Sequence, residues 1–249
     1  MSAPERLKWT PELVERFWNG VAGTRLNDLS FSRLGGKAFV TAIEHLLPRH
    51  GTILDFGAGD GDLVGYLLEK GFRVAAFEPA GARRAALERR YEGQPGFLGV
   101  VGETERRRFD VVLLVEVIEH ILDEQLQAAL ERVTGLVRAG GLLIVSTPNN
   151  EDLELSMAYC PASNVLFHRW QHVRSMTPDS LAAMLLPFGV KERVTHLMEY
   201  QNHLFLPYDP LWGGANPPVE LPEFLASLRN NVPTRFGNES HILFVGERL

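Results

Sequence analysis

The chain has 249 residues, 45% of them hydrophobic and 22% charged, a globular composition that excludes disordered and collagen-like architectures. Its formal net charge is -6 and its basic residues are scattered, as in ARRAALERR at 82–90, so a nucleic-acid partner is not expected. A single cysteine, Cys160, rules out an intrachain disulfide and paired-cysteine zinc or redox motifs. No stretch approaches the roughly 20 apolar residues of a membrane helix, and MSAPERLKWTPELVERFW lacks an apolar signal core; a soluble, cytoplasmic protein is the expectation.

In chain order, Thr10, Pro11 and Glu12 open an amphipathic helix carrying Leu13, Phe17 and Trp18 on one side. A second helix is predicted from Gly36 to Leu47, before Pro48. From residue 52 the pattern changes. TILDF, RVAAF, FLGVV, DVVLLV and GLLIVS read as buried strands, most of them separated by helical stretches such as DLVGYLLEK and LDEQLQAALERVTGLV. Runs buried on both faces and joined by helices predict a doubly wound, mostly parallel α/β sheet. Thr177, Pro178 and Asp179 start another helix, and GVKERVTHLM and HILFVGER supply two final strands. Between those strands, residues 199–238 carry Pro207, Pro210, Pro217, Pro218, Pro222 and Pro233. So long an irregular connection predicts a lid over one end of the sheet, with simple surface packing as the alternative.

ILDFGAGDGDL, residues 53–63, ends a strand and opens a helix with Gly57, Gly59 and Gly61. The spacing is G-x-G-x-G, and Asp62 stands where a dinucleotide fingerprint needs glycine. Asp55, Asp60 and Asp62 place negative charge where a pyrophosphate would be repelled, which favours a cationic ligand. Glu78 follows the second strand at the edge where an acidic side chain can take ribose hydroxyls. A positively charged nucleoside fits both features.

At this point the sequence resembles the class I S-adenosylmethionine-dependent methyltransferases. The likeness covers about residues 50–200: LDFGAGDG, Glu78, FDVVLLVEVIEH and LVRAGGLLIVSTPN occur in the family's order. It implies a Rossmann-like seven-stranded sheet at 50–199, preceded by an N-terminal helical segment (1–49) and followed by a lid-like insertion plus final strand (200–249), one domain overall. By the same resemblance S-adenosylmethionine is the cofactor. Asp55, Gly57, Ala58, Gly59 and Gly61 surround its methionine part, Glu78 and Pro79 its ribose, Gly102 and Glu103 its adenine, and Val115, Glu116 and Val117 flank the site.

EVIEHI, residues 116–121, places Glu116, Glu119 and His120 at i, i+3 and i+4, one face if a helical turn begins there. Small-molecule O-methyltransferases, including those of ubiquinone biosynthesis, are similar through this stretch, which implies a hydroxyl acceptor with His120 or His172 as base and Glu119 beside them. The small-RNA 3′-terminal 2′-O-methyltransferases resemble it too, and by that likeness Glu116, Glu119, His120 and His172 would hold Mg²⁺ or Mn²⁺; a divalent metal is therefore an alternative, not the favoured reading. A helix-capping Glu119 and a structural His120 form the third. FHRWQHVRSMTPDSL, residues 167–181, adds His168, Arg169, Trp170 and Arg174, with the arginines available for a polar or anionic acceptor. The run from STPNNEDLE onward resembles bacterial methyltransferases of polysaccharide and sugar biosynthesis, which implies a sugar as the small-molecule acceptor. The remaining possibilities are a nicotinamide-dependent oxidoreductase and a non-catalytic cofactor-binding regulator or scaffold. Oligomeric state is not legible.

Overall fold

A computed structural model of the chain describes residues 3–22, 24–214 and 220–249. In chain order the first half forms β1 (Glu5–Arg6), α1 (Pro11–Ala22), α2 (Phe31–Leu34), α3 (Gly36–Ile43), β2 (Ile53–Phe56), α4 (Asp62–Glu69), β3 (Val74–Phe77), α5 (Gly81–Tyr91), β4 (Phe97–Val100) and β5 (Phe109–Val115). There follow α6 (Asp123–Gly135), β6 (Val137–Pro148), β7 (Met157–Cys160), β8 (Val165–His168), α7 (Pro178–Leu185), β9 (Val190–Met198), α8 (Asn202–Phe205), α9 (Glu223–Arg229) and β10 (His241–Arg248). A 3-10 turn, Arg25–Leu29, joins α1 to α2.

The main sheet has seven strands in the order β4-β3-β2-β5-β6-β10-β9. β10 runs antiparallel between β6 and β9, and the pairs among β2, β3, β4, β5 and β6 are parallel. Strand order reverses between β2 and β5, which leaves a crevice at their carboxyl ends. The uninterrupted apolar runs have a direct cause. Along β5, Val111 and Leu113 enter the core layer beneath α3 and α4, while Val112 and Leu114 enter the layer beneath α6 and α7. Side chains alternate faces, so a strand covered on both must be apolar throughout.

Thr177 caps α7 in a reciprocal box with Ser180, as the Thr-Pro-Asp start predicts. The late segment differs from expectation. Phe205, Leu225 and Leu228 are fully buried against the α3 side of the sheet, and Lys70 ties Asp209 to α4 with Nζ 2.6 Å from its Oδ2. Among the described residues, 202–236 therefore form a buttress on one face, not a cover over the carboxyl ends; Pro217 and Pro218 lie outside those residues. The apolar pair at i and i+3 in EFLASLR accounts for it, because it gives α9 a face to bury. A second, three-stranded sheet, β1-β8-β7, was not predicted from sequence: β1 is two charged residues, and β8 is a four-residue run.

Candidate active site

A cavity of about 1010 Å³ opens at the carboxyl ends of β2, β3 and β5. Gly57, Ala58, Gly59, Glu78, Pro79, Glu103, Val115, Glu116 and Val117 line it, and so do Glu119, His120 and His172. Asp55, Gly61 and Gly102 do not. Gly61 packs against Tyr91 behind the loop, Gly102 gives its carbonyl to Arg132 at 2.8 Å, and Asp55 is buried under the strand end.

The glycine turn is dictated by space. Gly57 has φ +87° and an added Cβ would fall 2.5 Å from Val117 Cγ2; at Gly59, φ +56°, it would meet the Arg83 guanidinium at 2.8 Å. Glu78 braces this turn by accepting from Gly59 N at 2.8 Å and Ala80 N at 3.0 Å. It is buried yet lines the cavity, and each carboxylate oxygen keeps a lone pair for a ligand hydroxyl. Burial, and then the charge of Glu78, raise Asp55 to about 7. The expectation that Asp60 and Asp62 repel anions is corrected. Asp60 meets Arg83 at 3.1 Å, and Asp62 meets Arg33 at 2.9 Å and Arg90 at 2.8 Å, so both charges are compensated within the protein.

The EVIEH stretch forms a turn, not a helix; α6 begins only at Asp123. Glu116 adopts φ +52°, which separates it from the other two. Its Oε1 accepts from Ser146 Oγ at 2.7 Å, and Oε2 lies 3.7 Å from His241 Nε2. Glu119 does not cap a helix. Its Oε2 accepts from Thr147 Oγ1 at 3.0 Å, and its Oε1 is buried with no hydrogen-bond partner, 3.7 Å from His120 Nε2. Burial, and then the charge of Glu116, hold the Glu119 carboxyl well above the usual range. Burial, and then His172, push His120 well below the imidazole range, so it rests neutral.

His172 joins this pair from the loop after β8, its ring centroid 4.8 Å from that of His120. Ligand atoms of Glu119, His120 and His172 lie within 4.8 Å of one another, and so do those of Glu151, His168 and His172. Of the arginines expected to hold an acceptor, Arg174 is occupied by the Ile118 carbonyl at 2.5 Å and Asp123 at 2.6 Å, and Arg169 is exposed outside the cavity.

Sequence reasoning missed Glu151, Tyr200 and His241. Tyr200 is buried at the cavity wall with its hydroxyl unpartnered. The signal for His241 was its place at one end of HILFVGER, which β10's antiparallel register brings opposite Pro148, the carboxyl end of β6. Glu151 and Tyr200 gave no local signal.

Over the cavity lies the N-terminal segment, contributing Val14, Trp18, Leu26, Leu29 and Phe31. Trp18 bridges its two halves. Its ring lies 5.6 Å from the Arg83 guanidinium and 5.0 Å from His120, and its Nε1 donates to Gln171 Oε1 at 3.0 Å. Gln171, buried at φ +63°, donates in turn to the His120 carbonyl at 3.0 Å.

Residues 32–191 match a methyltransferase-domain family. The ubiquinone biosynthesis O-methyltransferase of Bradyrhizobium sp. (strain ORS 278) is 31% identical over 147 residues, 54% of this chain and 56% of that protein, so the match spans little more than half of that relative. The enzyme of the same description from Paramagnetospirillum magneticum (strain ATCC 700264 / AMB-1) is 30% identical over 212 residues, 77% of this chain and 83% of that protein. Among solved structures, the Burkholderia thailandensis 1,6-didemethyltoxoflavin-N1-methyltransferase with bound 1,6-didemethyltoxoflavin and S-adenosylhomocysteine superposes with TM-score 0.59 at 17% identity, covering 99% of this chain and 94% of that one. The glycopeptide N-methyltransferase MtfA with sinefungin gives TM-score 0.58 at 16% identity, covering 87% and 94%. At such identities the likeness concerns the fold. With a strand-end glycine cradle, an acidic residue after β3 and a matched domain over most of its length, the chain belongs to the class I S-adenosylmethionine-dependent methyltransferases.

Proposed function

We propose that the protein transfers a methyl group from S-adenosylmethionine to a hydroxyl of a small acceptor held beneath Trp18. One observation carries this reading: a single cavity joins the Gly57–Gly59 turn and Glu78 to the paired imidazoles of His120 and His172. The cradle fits the cofactor, since Gly57 and Gly59 leave the backbone bare where it would lie and Glu78 offers carboxylate oxygens to a ribose. When bound, the cofactor supplies an electrophilic methyl on a sulfonium. The chain's task is then to orient the acceptor and to take its proton. A neutral imidazole suits the second role, and the oxygen specificity in the names of the ubiquinone-biosynthesis relatives supports a hydroxyl acceptor.

The acceptor's body is proposed to be largely apolar. Trp18, Leu26, Leu29, Phe31, Ile121 and Tyr200 wall the cavity, which suits a ring or chain better than the sugar suggested by sequence resemblance. A cytoplasmic setting is retained as part of the proposal; no helix among the described residues is long and apolar enough to cross a membrane.

A second reading, with a divalent ion at Glu119, His120 and His172, is favoured by one fact: Glu119 Oε1 is buried without a partner and within ligand range of both imidazoles. Mg²⁺ or Mn²⁺ there would hold the acceptor oxygen. Incubating the protein with methyl-labelled cofactor and an extract of its source cells tests both. The expected product is a labelled small molecule of low polarity, formed equally after thorough chelation. Label in a polysaccharide or RNA fraction, or no labelled product, contradicts the proposal, and activity lost on chelation and restored by Mg²⁺ selects the metal reading.

A further inference from the structure

Glu151, on the segment leaving β6, is the residue that links His168 at the end of β8 to His172 in the loop that follows. Its Oε2 lies 2.5 Å from His172 Nδ1, and its Oε1 lies 3.3 Å from His168 Nε2 and accepts from Ser156 Oγ at 3.3 Å. The imidazoles of His168 and His172 stack, centroids 4.5 Å apart at 21°.

Proton positions follow from the partners. His168 Nδ1 accepts from His172 N at 3.0 Å and from Trp170 N at 3.3 Å, so it cannot carry a hydrogen, and the ring's one proton sits on Nε2, facing Glu151. A cationic His168 would forfeit both backbone bonds. Glu151 faces ring nitrogens of both His172 and His168 and accepts from Ser156 Oγ, a set of partners that suits a carboxylate. An ionised carboxylate only accepts, so the proton in its contact with His172 belongs to Nδ1. Nε2 of His172 is then the nitrogen left with a lone pair, on a ring that lines the cavity beside Glu119 and His120.

We propose that Glu151 is a positioning residue that locks His172 in its Nδ1–H tautomer and so presents Nε2 to the acceptor. His168 is the backstop, fixed by the chain's own amides, that keeps Glu151 aligned. The arrangement distinguishes the two candidate bases: His172 has a carboxylate on its Nδ1 at 2.5 Å, whereas His120 Nδ1 is buried without a partner, as are Glu119 Oε1 and the Nε2 of His168, which faces Glu151 at 3.3 Å without hydrogen-bond geometry. In the transfer, the acceptor O–H bond breaks and its proton passes to His172 Nε2, while the O–CH₃ bond forms as the S–CH₃ bond of the sulfonium breaks, its electron pair staying on the sulfur of the departing thioether; the imidazolium formed keeps its Nδ1 proton on Glu151. This role rests on the proposed use of His172 as base.

The test is long-range ¹H–¹⁵N NMR of the full-length, ¹⁵N-labelled protein saturated with S-adenosylhomocysteine, with His172→Gln assigning the resonances. Wild type is expected to show His172 protonated at Nδ1 and bare at Nε2. Glu151→Gln is expected to move the population toward the Nε2–H form and to slow labelled-methyl transfer from the source extract by about 10- to 100-fold, with Glu151→Asp restoring much of both. His172 found protonated at Nε2 in wild type, or an unchanged tautomer in Glu151→Gln, overturns the proposal. A wild-type rate in His172→Gln instead removes the base reading and leaves the tautomer result to stand by itself.

Discussion

The two halves of the cavity are built differently. The cofactor half is local in sequence: Gly57 to Asp62 follow β2 directly, and Glu78 follows β3, strands in register from Ile53 with Val74 to Phe56 with Phe77. The acceptor half gathers Trp18 of α1, Glu119 and His120 after β5, Glu151 after β6, and His168 and His172 from β8 and its loop. The first half depends on backbone shape, the second on which proton sits where. Substitutions should therefore separate into those that remove cofactor binding or stability and those that remove turnover alone.

The largest effect is expected at His172. His172→Gln should lower methyl transfer about 10²- to 10⁴-fold while the cofactor's Kd, measured by calorimetry, stays within about twofold. Loss of cofactor affinity in that variant would dissolve the division between the halves.

Asp55 sharpens the cofactor side through pH. Its carboxyl rises from an ordinary 3.8 in the unfolded chain to about 7 in the folded protein. Below pH 4 both states are protonated and no penalty exists. Between the two values the folded state holds a proton that the unfolded state has lost, so stability falls as pH rises, and above 7 the full cost is present. At about 1.4 kcal/mol per unit, the stability of wild type relative to Asp55→Asn should decline by a few kcal/mol from pH 4 to pH 8 in urea titrations. A flat difference would contradict the buried-carboxylate account.

Gly57→Ala follows. A left-handed φ and the contact with Val117 predict a loss of about 2 kcal/mol in unfolding free energy and weakened cofactor binding, read by denaturation and calorimetry. The smallest effect belongs to the bridge between the halves. Trp18→Phe keeps the ring against His120 but removes the hydrogen bond to Gln171, with an expected cost of about 1 kcal/mol, seen as a several-fold rise in acceptor KM with the cofactor's Kd unchanged.

The same division explains how much was legible. Strands such as ILDF and DVVLLV and the turn between β2 and α4 were read directly, because burial on both faces writes a continuous apolar run and a left-handed turn demands glycine. Glu116, Glu119 and His120 all line the cavity, yet the shared helical face expected of them was not found: φ +52° at Glu116 sends it to Ser146 and His241 instead. Glu151 carries no local mark, since its meaning comes from His168 and His172 more than fifteen residues on. The prolines of 199–238 were read as irregularity, while the decisive feature was the apolar spacing of Leu225 and Leu228, which buries one face of α9 in the core.

The central claim is that the turn at Gly57–Gly59 and the carboxylate of Glu78 form the cofactor cradle. Calorimetric titration with S-adenosylhomocysteine tests it most directly. The prediction is one site per chain, weakened at least about tenfold in Glu78→Gln and absent for NAD. No heat at millimolar ligand with the protein folded, or equal affinity in wild type and Glu78→Gln, would contradict it.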